Sequence, residues 1–446
     1  MNTQRQLIQR FEHDCLLIDE EGFLREHWEA LANYNGKYKN RFLTLLPYGV
    51  KFNEFVGVIQ VGNLTIEILP KIDRQGGNKA DWQSILLDML KECHWMQVFA
   101  HQKASLRHKQ HSILDAYLEI YLDACERLLH EGLVKKYRKE AKNLKVWKGK
   151  LNLTQNIRQN LVHAERFFTE HSVYDRDNIF NQILLKALKI IPNLTVSAVI
   201  RDKLSRLLLD FPELKDLNVE ASTFQNLVFD RKTERYKEPI EIAAMLLLNY
   251  RPDVRGGHNH VLAILFDMNQ LWEEYFFRRL RRALPESWNI QSQARKVFWA
   301  LSGTNQEKII KPDIVLTNAE GKNIVIDTKW KTPDGFVPSD EDLKQIFVYN
   351  DHWDTKFGIL LYPLNEPGKK FKCRKGIFKN AKEITACAVV KIDILEGGKL
   401  DPNFLEPFIE YLSKPELMEK NEVELDKPNE ISISLVSLPV NNVSVW

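Results

Sequence analysis

The sequence contains no uninterrupted apolar run approaching the roughly 18 residues that a membrane-crossing helix needs. Its first residues, MNTQRQLIQRFEHD, are charged and polar and lack the apolar centre of a secretion signal, so neither export nor a membrane anchor is expected. Cysteine is scarce. The five present (Cys15, Cys93, Cys125, Cys373, Cys387) are scattered and form no CxxC pair. This argues against a disulfide framework and a cysteine-rich zinc site, and a reducing, cytoplasmic setting is expected. No GxxxxGK[ST] phosphate loop occurs, and Gly149-Lys150 lacks the upstream glycine. The chain is thus expected to bind no nucleotide by itself. GxSxG and HExxH are absent too. His258-Asn259-His260 spells H-N-H, but three consecutive residues cannot supply the spaced ligands of that nuclease motif.

What is present is an ordinary globular composition, 44% hydrophobic and 28% charged over 446 residues, enough for two or three domains. The net charge of +3 is too small to specify a nucleic-acid partner. Its distribution says more. Lys135, Lys136, Arg138, Lys139, Lys142, Lys145, Lys148, Lys150 and Arg158 face only Glu140. Such a run can neutralise phosphates, with Lys148 and Lys150 as DNA-contact candidates, or serve simply as a solvated basic face.

Residues 41–72 carry period-2, β-branched patterning with Gly62-Asn63 as a turn. From Trp82 to about Gln155 the apolar spacing is mainly helical, and helices are again expected over 177–191, 197–209 and 239–249. Composition shifts near Arg251-Pro252-Asp253 and Gly256-Gly257. A long amphipathic helix is expected from Val261 to Ala283, then strands in ARKVFWAL, IIKPDIVLT and NIVIDTKW, a helix over 340–350 and a buried strand in FGILLYP. The expected domains are a β-rich domain (1–80), a mainly helical middle domain with the basic segment (81–250), an α/β domain (251–395) and a tail (396–446). In the tail, ISISLVSLPVNNVSVW would add a strand.

The chemistry concentrates in Lys311-Pro312-Asp313-Ile314-Val315-Leu316 and Asn323-Ile324-Val325-Ile326-Asp327-Thr328-Lys329, a P-D followed fourteen residues later by D-x-K. On a strand, residues i and i+2 share a face, so Asp327 and Lys329 project together and Asp313 approaches from the neighbouring strand. Two carboxylates are hard oxygen ligands suited to Mg²⁺, with Mn²⁺ as the alternative. A lysine can orient the attacking water and offset phosphoryl charge. Pro252-Asp253 and Pro333-Asp334 are also P-D pairs, but no D-x-K on a strand follows them. Glu273 or Glu274, on the preceding helix, supplies an upstream acid. Gln345 and Tyr349, four apart on a helix, can hydrogen-bond the site or the DNA backbone. Arg278, Arg279, Arg281 and Arg282 extend the same helix as phosphate contacts or as a solvated helix end.

These residues resemble the McrC family, nuclease subunits of McrBC-type 5-methylcytosine restriction systems. The resemblance spans about residues 40–365. It is carried by VGVIQVG (56–62) with IEILPKI (66–72), by Tyr137 with LKVWKGKLNL (144–153), and by MNQLWE (268–273) with the Asp313, Asp327, Lys329, Gln345 and Tyr349 set. It implies an α+β, α/β multidomain chain with a C-terminal PD-(D/E)xK domain. Asp313 and Asp327 would be metal ligands, Lys329 the catalytic lysine and Glu273 an accessory acid. It also implies a hexameric AAA+ GTPase partner that the chain docks on and stimulates, double-stranded methylated DNA as substrate, and self-association for double-strand cleavage. A RecB-like repair nuclease and a non-cleaving scaffold of an AAA+ ring are the alternatives. The tail beyond about residue 370 is longer than the compact members of that family suggest.

Overall fold

The computed structural model describes residues 6–71, 79–93, 112–195, 197–251, 260–333, 335–364, 369–379 and 385–413. Among the described residues no helix is long and apolar enough to cross a membrane. Two large sheets organise the chain.

The first sheet has five strands in the order Gln6–Phe11, Leu64–Leu69, Phe55–Val61, Val261–Asp267, Tyr250–Arg251. The expected hairpin around Gly62-Asn63 is its centre, and Gly62 takes the left-handed φ of 55° that the turn needs. Every residue of Phe55–Val61 and Leu64–Leu69 is buried, because helices cover one face and the 13-residue helix Arg25–Lys37 lies toward the other. Gly57 has a φ of 136°, and a Cβ there would sit 2.1 Å from the carbonyl oxygen of Ile264. Only glycine lets the Val261–Asp267 strand lie this close.

That strand corrects the sequence reading. Val261–Asp267 is not the first part of the long helix but an antiparallel partner of Phe55–Val61, and the helix begins at Met268. An apolar run such as VLAILF fits a buried strand as well as a buried helix, and periodicity cannot separate them. Asp267 marks the switch: its carboxylate accepts from the backbone N–H groups of Asn269 (3.0 Å) and Gln270 (3.3 Å) as the helix N-cap. The strand lies C-terminal to the boundary expected at residue 251, yet it belongs to the N-terminal sheet.

The middle region holds the expected helices, Ile113–Glu131, Ile179–Ile190, Ala198–Asp210 and Lys237–Asn249. The first ends at Gly132, as expected. The helical reading fails beyond it. Lys136–Leu144 is a strand paired along its whole length with Phe167–Asp175. Alternating burial along this ladder, with Arg138 ion-paired to Asp175 at 2.8 Å, follows the strand period of two.

The second sheet has six strands: Asn289–Ser292, Ile314–Thr317, Asn323–Thr328, Phe357–Pro363, Ala386–Ile392 and Phe371–Ile377. The first three are antiparallel; Asn323–Thr328, Phe357–Pro363 and Ala386–Ile392 run parallel. The parallel crossover from Asn323–Thr328 runs through helix Asp340–His352, which is capped by Ser339 and has three acids in its first turn. Strand residues alternate between the two faces. Ile314, Leu316, Ile324 and Ile326 pack into the main core with Trp272 and Phe276, whereas Val315, Val325 and Leu360 pack with Ile346 and Tyr349. Beyond residue 396, helix Glu406–Leu412 seats Phe408 against Phe276 of the Met268–Ala283 helix. Pro252-Asp253, the HNH residues 258 and 259, Asp334 and the expected final strand lie outside the described residues.

Candidate active site

The register of the second sheet assembles the site. Ile314 lies opposite Ile326, so one step further Asp313 comes opposite Asp327. Asp313, Asp327 and Lys329 share strand parity with Val315 and Val325 and so face the Asp340–His352 helix. That helix is held by Asp342, which accepts from Tyr362 Oη at 3.0 Å and pairs with Lys331 at 2.6 Å. Its inner face then presents Gln345 and Tyr349. Lys329 Nζ donates to Gln345 Oε1 (2.9 Å), Gln345 Nε2 donates to Tyr349 Oη (2.8 Å), and Tyr349 Oη donates to the Lys311 carbonyl (3.0 Å). The i, i+4 pair picked from the sequence thus forms one hydrogen-bonded chain ending on the lysine.

Asp327 is 1% exposed. The Lys329 ammonium lies 2.7 Å from its Oδ2. Apart from this ion pair, neither Asp327 oxygen has a hydrogen-bond partner among the described residues. Burial, reinforced by the charge of Asp313, pushes the Asp327 carboxyl up to about 7, against the pull of Lys329. Asp313 is raised as well, again chiefly by burial, although Thr328 donates to its Oδ2 from both backbone N–H (2.7 Å) and Oγ1 (2.8 Å). Burial alone would lower the Lys329 ammonium; the neighbouring Asp327 and Asp313 outweigh it and raise it.

The choice between the two glutamates is resolved by the helix face. Glu273 accepts from Gln293 Nε2 at 2.8 Å, and its carboxyl is pushed up to about 7 by burial and by Asp313. Glu274 instead pairs with Arg278. The helix therefore turns Glu273, not Glu274, toward the two aspartates. The arginines are engaged elsewhere: Arg278 with Glu274, Arg279 with the Pro402 carbonyl and the Phe404 ring, Arg282 with Glu92. Arg281 is exposed, as are Lys150, on the three-stranded ladder with Phe167–Asp175, and Lys148, in the loop before it.

Two contributors carried no sequence signal. Gln293 adopts a left-handed φ of 48°, costly for a non-glycine residue. There its N–H donates to the Asp313 carbonyl (2.9 Å), and its side chain links Glu273 to Lys311 Nζ. Trp330 follows the lysine directly. Its buried Nε1 donates to Glu12 Oε1 at 2.6 Å, and its ring lies 5.4 Å from that of Trp272, the neighbour of Glu273. Glu12 is 318 residues away in sequence, so no local pattern announces it.

Among the described residues no group of three or more His, Cys, Asp or Glu side chains stands as a ready metal cage. The donor set nevertheless fits a hard divalent cation. Two juxtaposed acids, one with open and buried oxygens, supply carboxylate ligands and leave positions for water and substrate oxygens, the pattern Mg²⁺ favours over an all-protein cage.

The fold and site together define a multi-sheet α/β protein with a buried acid–lysine centre at the ends of two adjacent strands. The chain belongs to the family of McrBC 5-methylcytosine restriction system components, whose model matches residues 50–363. This bears out the resemblance read from the sequence. The fold is similar to that of a chain in the refined half-complex from the tetradecameric assembly of Thermococcus gammatolerans McrB AAA+ hexamers with bound McrC. That match has a TM-score of 0.68 at 18% identity and covers 91% of this chain and 100% of that one. A chain of the Thermococcus gammatolerans McrBC complex, solved by cryo-EM, matches with a TM-score of 0.48 and 20% identity over 62% of this chain and 87% of that one. No curated protein matches the sequence.

Proposed function

We propose that this restriction-system component is its Mg²⁺-dependent DNA endonuclease subunit, of McrC type, and that it docks on and stimulates an AAA+ GTPase hexamer. The observation that carries the reading is Asp327: a buried carboxylate with unfilled oxygens, 2.7 Å from a lysine. Burying such a group with lone pairs left open is costly even beside one lysine, and a structural role would have filled them. Helix, three antiparallel strands, helix and parallel strand in that order, with the acids at the strand ends, support a PD-(D/E)xK domain.

Asp313 and Asp327 would hold the metal, which when bound polarises the phosphoryl oxygens and lowers the pKa of a bound water. Lys329, fixed by Gln345 and Tyr349, places its ammonium where the attacking water and a non-bridging oxygen meet. Glu273, held by Gln293 on the side of Asp313, is the accessory acid that takes up a proton from the water. The similar chain in the assembly of McrB AAA+ hexamers with bound McrC supports a ring partner for this chain.

The test is cleavage of methylated closed-circular DNA by the complex with its AAA+ partner. Asp327→Ala and Lys329→Ala should each abolish cutting while GTP hydrolysis by the partner stays stimulated. Cutting retained in both variants would overturn the site. A wild-type complex that hydrolyses GTP but never nicks DNA in Mg²⁺ or Mn²⁺ would make the chain a scaffold. Cutting confined to linear DNA would make it an exonuclease.

A further inference from the structure

Between the first strand of the second sheet and Asp313, the chain makes a separate two-stranded hairpin, Lys296–Ala300 paired with Glu307–Ile310. It joins neither large sheet. Val297, Phe298, Trp299, Leu301 and Ile309 are 40–54% exposed. An isolated two-stranded ribbon is marginal in water, and this one carries apolar side chains on both faces. Its only charged company is basic except for Glu307: Arg295, Lys296, Lys308 and Lys311.

Both legs are rooted in the site. One leaves from Gln293, which donates to Glu273 and to the Asp313 carbonyl; the other returns through Lys311, bonded to Gln293, two residues before Asp313. At the base, Lys296 lies 5.0 Å over the Trp353 ring and Phe298 lies 5.5 Å from His352, both at the end of the helix that carries Gln345. Whatever the hairpin holds is therefore held at a fixed distance from the acids.

We infer that this hairpin grips the DNA beside the bond to be cut, Arg295 and Lys308 meeting phosphates and Phe298 and Trp299 packing on base edges and thymine methyl groups in the groove. Charge selects the occupant: a cationic ribbon with exposed apolar side chains complements a polyanion whose groove presents base edges and methyl groups, and a two-stranded ribbon fits a major groove about 12 Å wide. The inference deepens the nuclease reading and rests on it.

The test uses the full-length chain and a fluorescein-labelled 30-base-pair duplex in Ca²⁺, followed by anisotropy over a range of KCl. Arg295→Glu/Lys308→Glu should weaken binding at least about tenfold and lower the slope of log affinity against log salt by about 2, close to one per lost phosphate contact. Phe298→Ala/Trp299→Ala should weaken it roughly tenfold with the slope unchanged, because apolar burial in the groove is lost without any phosphate contact. The substituted side chains are exposed, and Lys308→Glu alone carries the charge test if a double variant loses thermal stability. Unchanged affinity and slope in these variants would overturn the inference. So would a loss of self-association on sedimentation with DNA affinity intact, which would assign the hairpin to a second copy of the chain. Wild-type protein that binds the duplex through the hairpin but cuts nothing in Mg²⁺ or Mn²⁺ would instead sink the nuclease reading and leave the hairpin standing.

Discussion

Glu67 in the first sheet and Asp327 in the second are both buried acids on strands buried on both faces, at 0% and 1% exposure. Burial raises both carboxyls. Their surroundings differ. Glu67 accepts from Gln9 Nε2 (2.8 Å), Gln83 Nε2 (3.2 Å) and the Ile113 N–H (2.6 Å). Those three donors tie a strand, a helix and a helix start together around it. Asp327 has a lysine and no further donor among the described residues. A buried acid with a filled shell is a structural joint. One whose oxygens stay open is a seat for something the chain does not itself supply.

Substitution separates the two roles. Asp327→Asn should reduce DNA cleavage by about three orders of magnitude or more, because it removes a metal ligand, while thermal unfolding changes little, because relief of the buried carboxylate offsets the ion pair lost to Lys329, which keeps Gln345 as an acceptor. A large drop in melting temperature would place Asp327 with Glu67 instead. Glu67→Ala should do the reverse. Three donors lose their acceptor at a cost of about 2–4 kcal/mol in urea denaturation, with cleavage per folded molecule preserved. Gln345→Ala leaves the acids intact but frees Lys329. A roughly 10–100-fold fall in kcat with KM for DNA little changed is expected, and Gln345→Glu should restore part of it by accepting from the lysine again.

The smallest effect concerns Glu12, whose carboxyl is raised from 4.5 to about 7, chiefly by burial. The folded chain binds this proton more tightly than the unfolded one, so its contribution to stability is full below about 4.5 and declines as pH rises through 7. Glu12→Gln should flatten the fall in melting temperature between pH 5 and pH 8. A fall as steep in the variant would assign it to other groups.

Much of this was legible in the residues. The Gly62-Asn63 hairpin, the helix ending at Gly132, the FGILLYP strand and the D-x-K strand announce themselves by period and turn chemistry. So does the choice of Gln345 and Tyr349, because i, i+4 spacing survives folding. The illegible parts depend on partners distant in sequence. Val261–Asp267 is a strand because Phe55–Val61 lacks a neighbour on that side, and Lys136–Leu144 is one because Phe167–Asp175 lies across from it. The shells of Glu67 and Glu12, and the left-handed Gln293, are set by contacts that no window along the chain contains.

The passage from Asp267 to Met268 has a mechanical meaning. The last strand residue pairs with Phe55 in the first sheet, and the first helix residue donates its N–H to the Glu54 carbonyl at 3.0 Å. No linker intervenes before the helix that carries Glu273 five residues on. The helix is thus a stiff shaft clamped at one end. With Trp330 hydrogen-bonded to Glu12, the first sheet is tied to both sides of the acid–lysine centre with no slack chain between them.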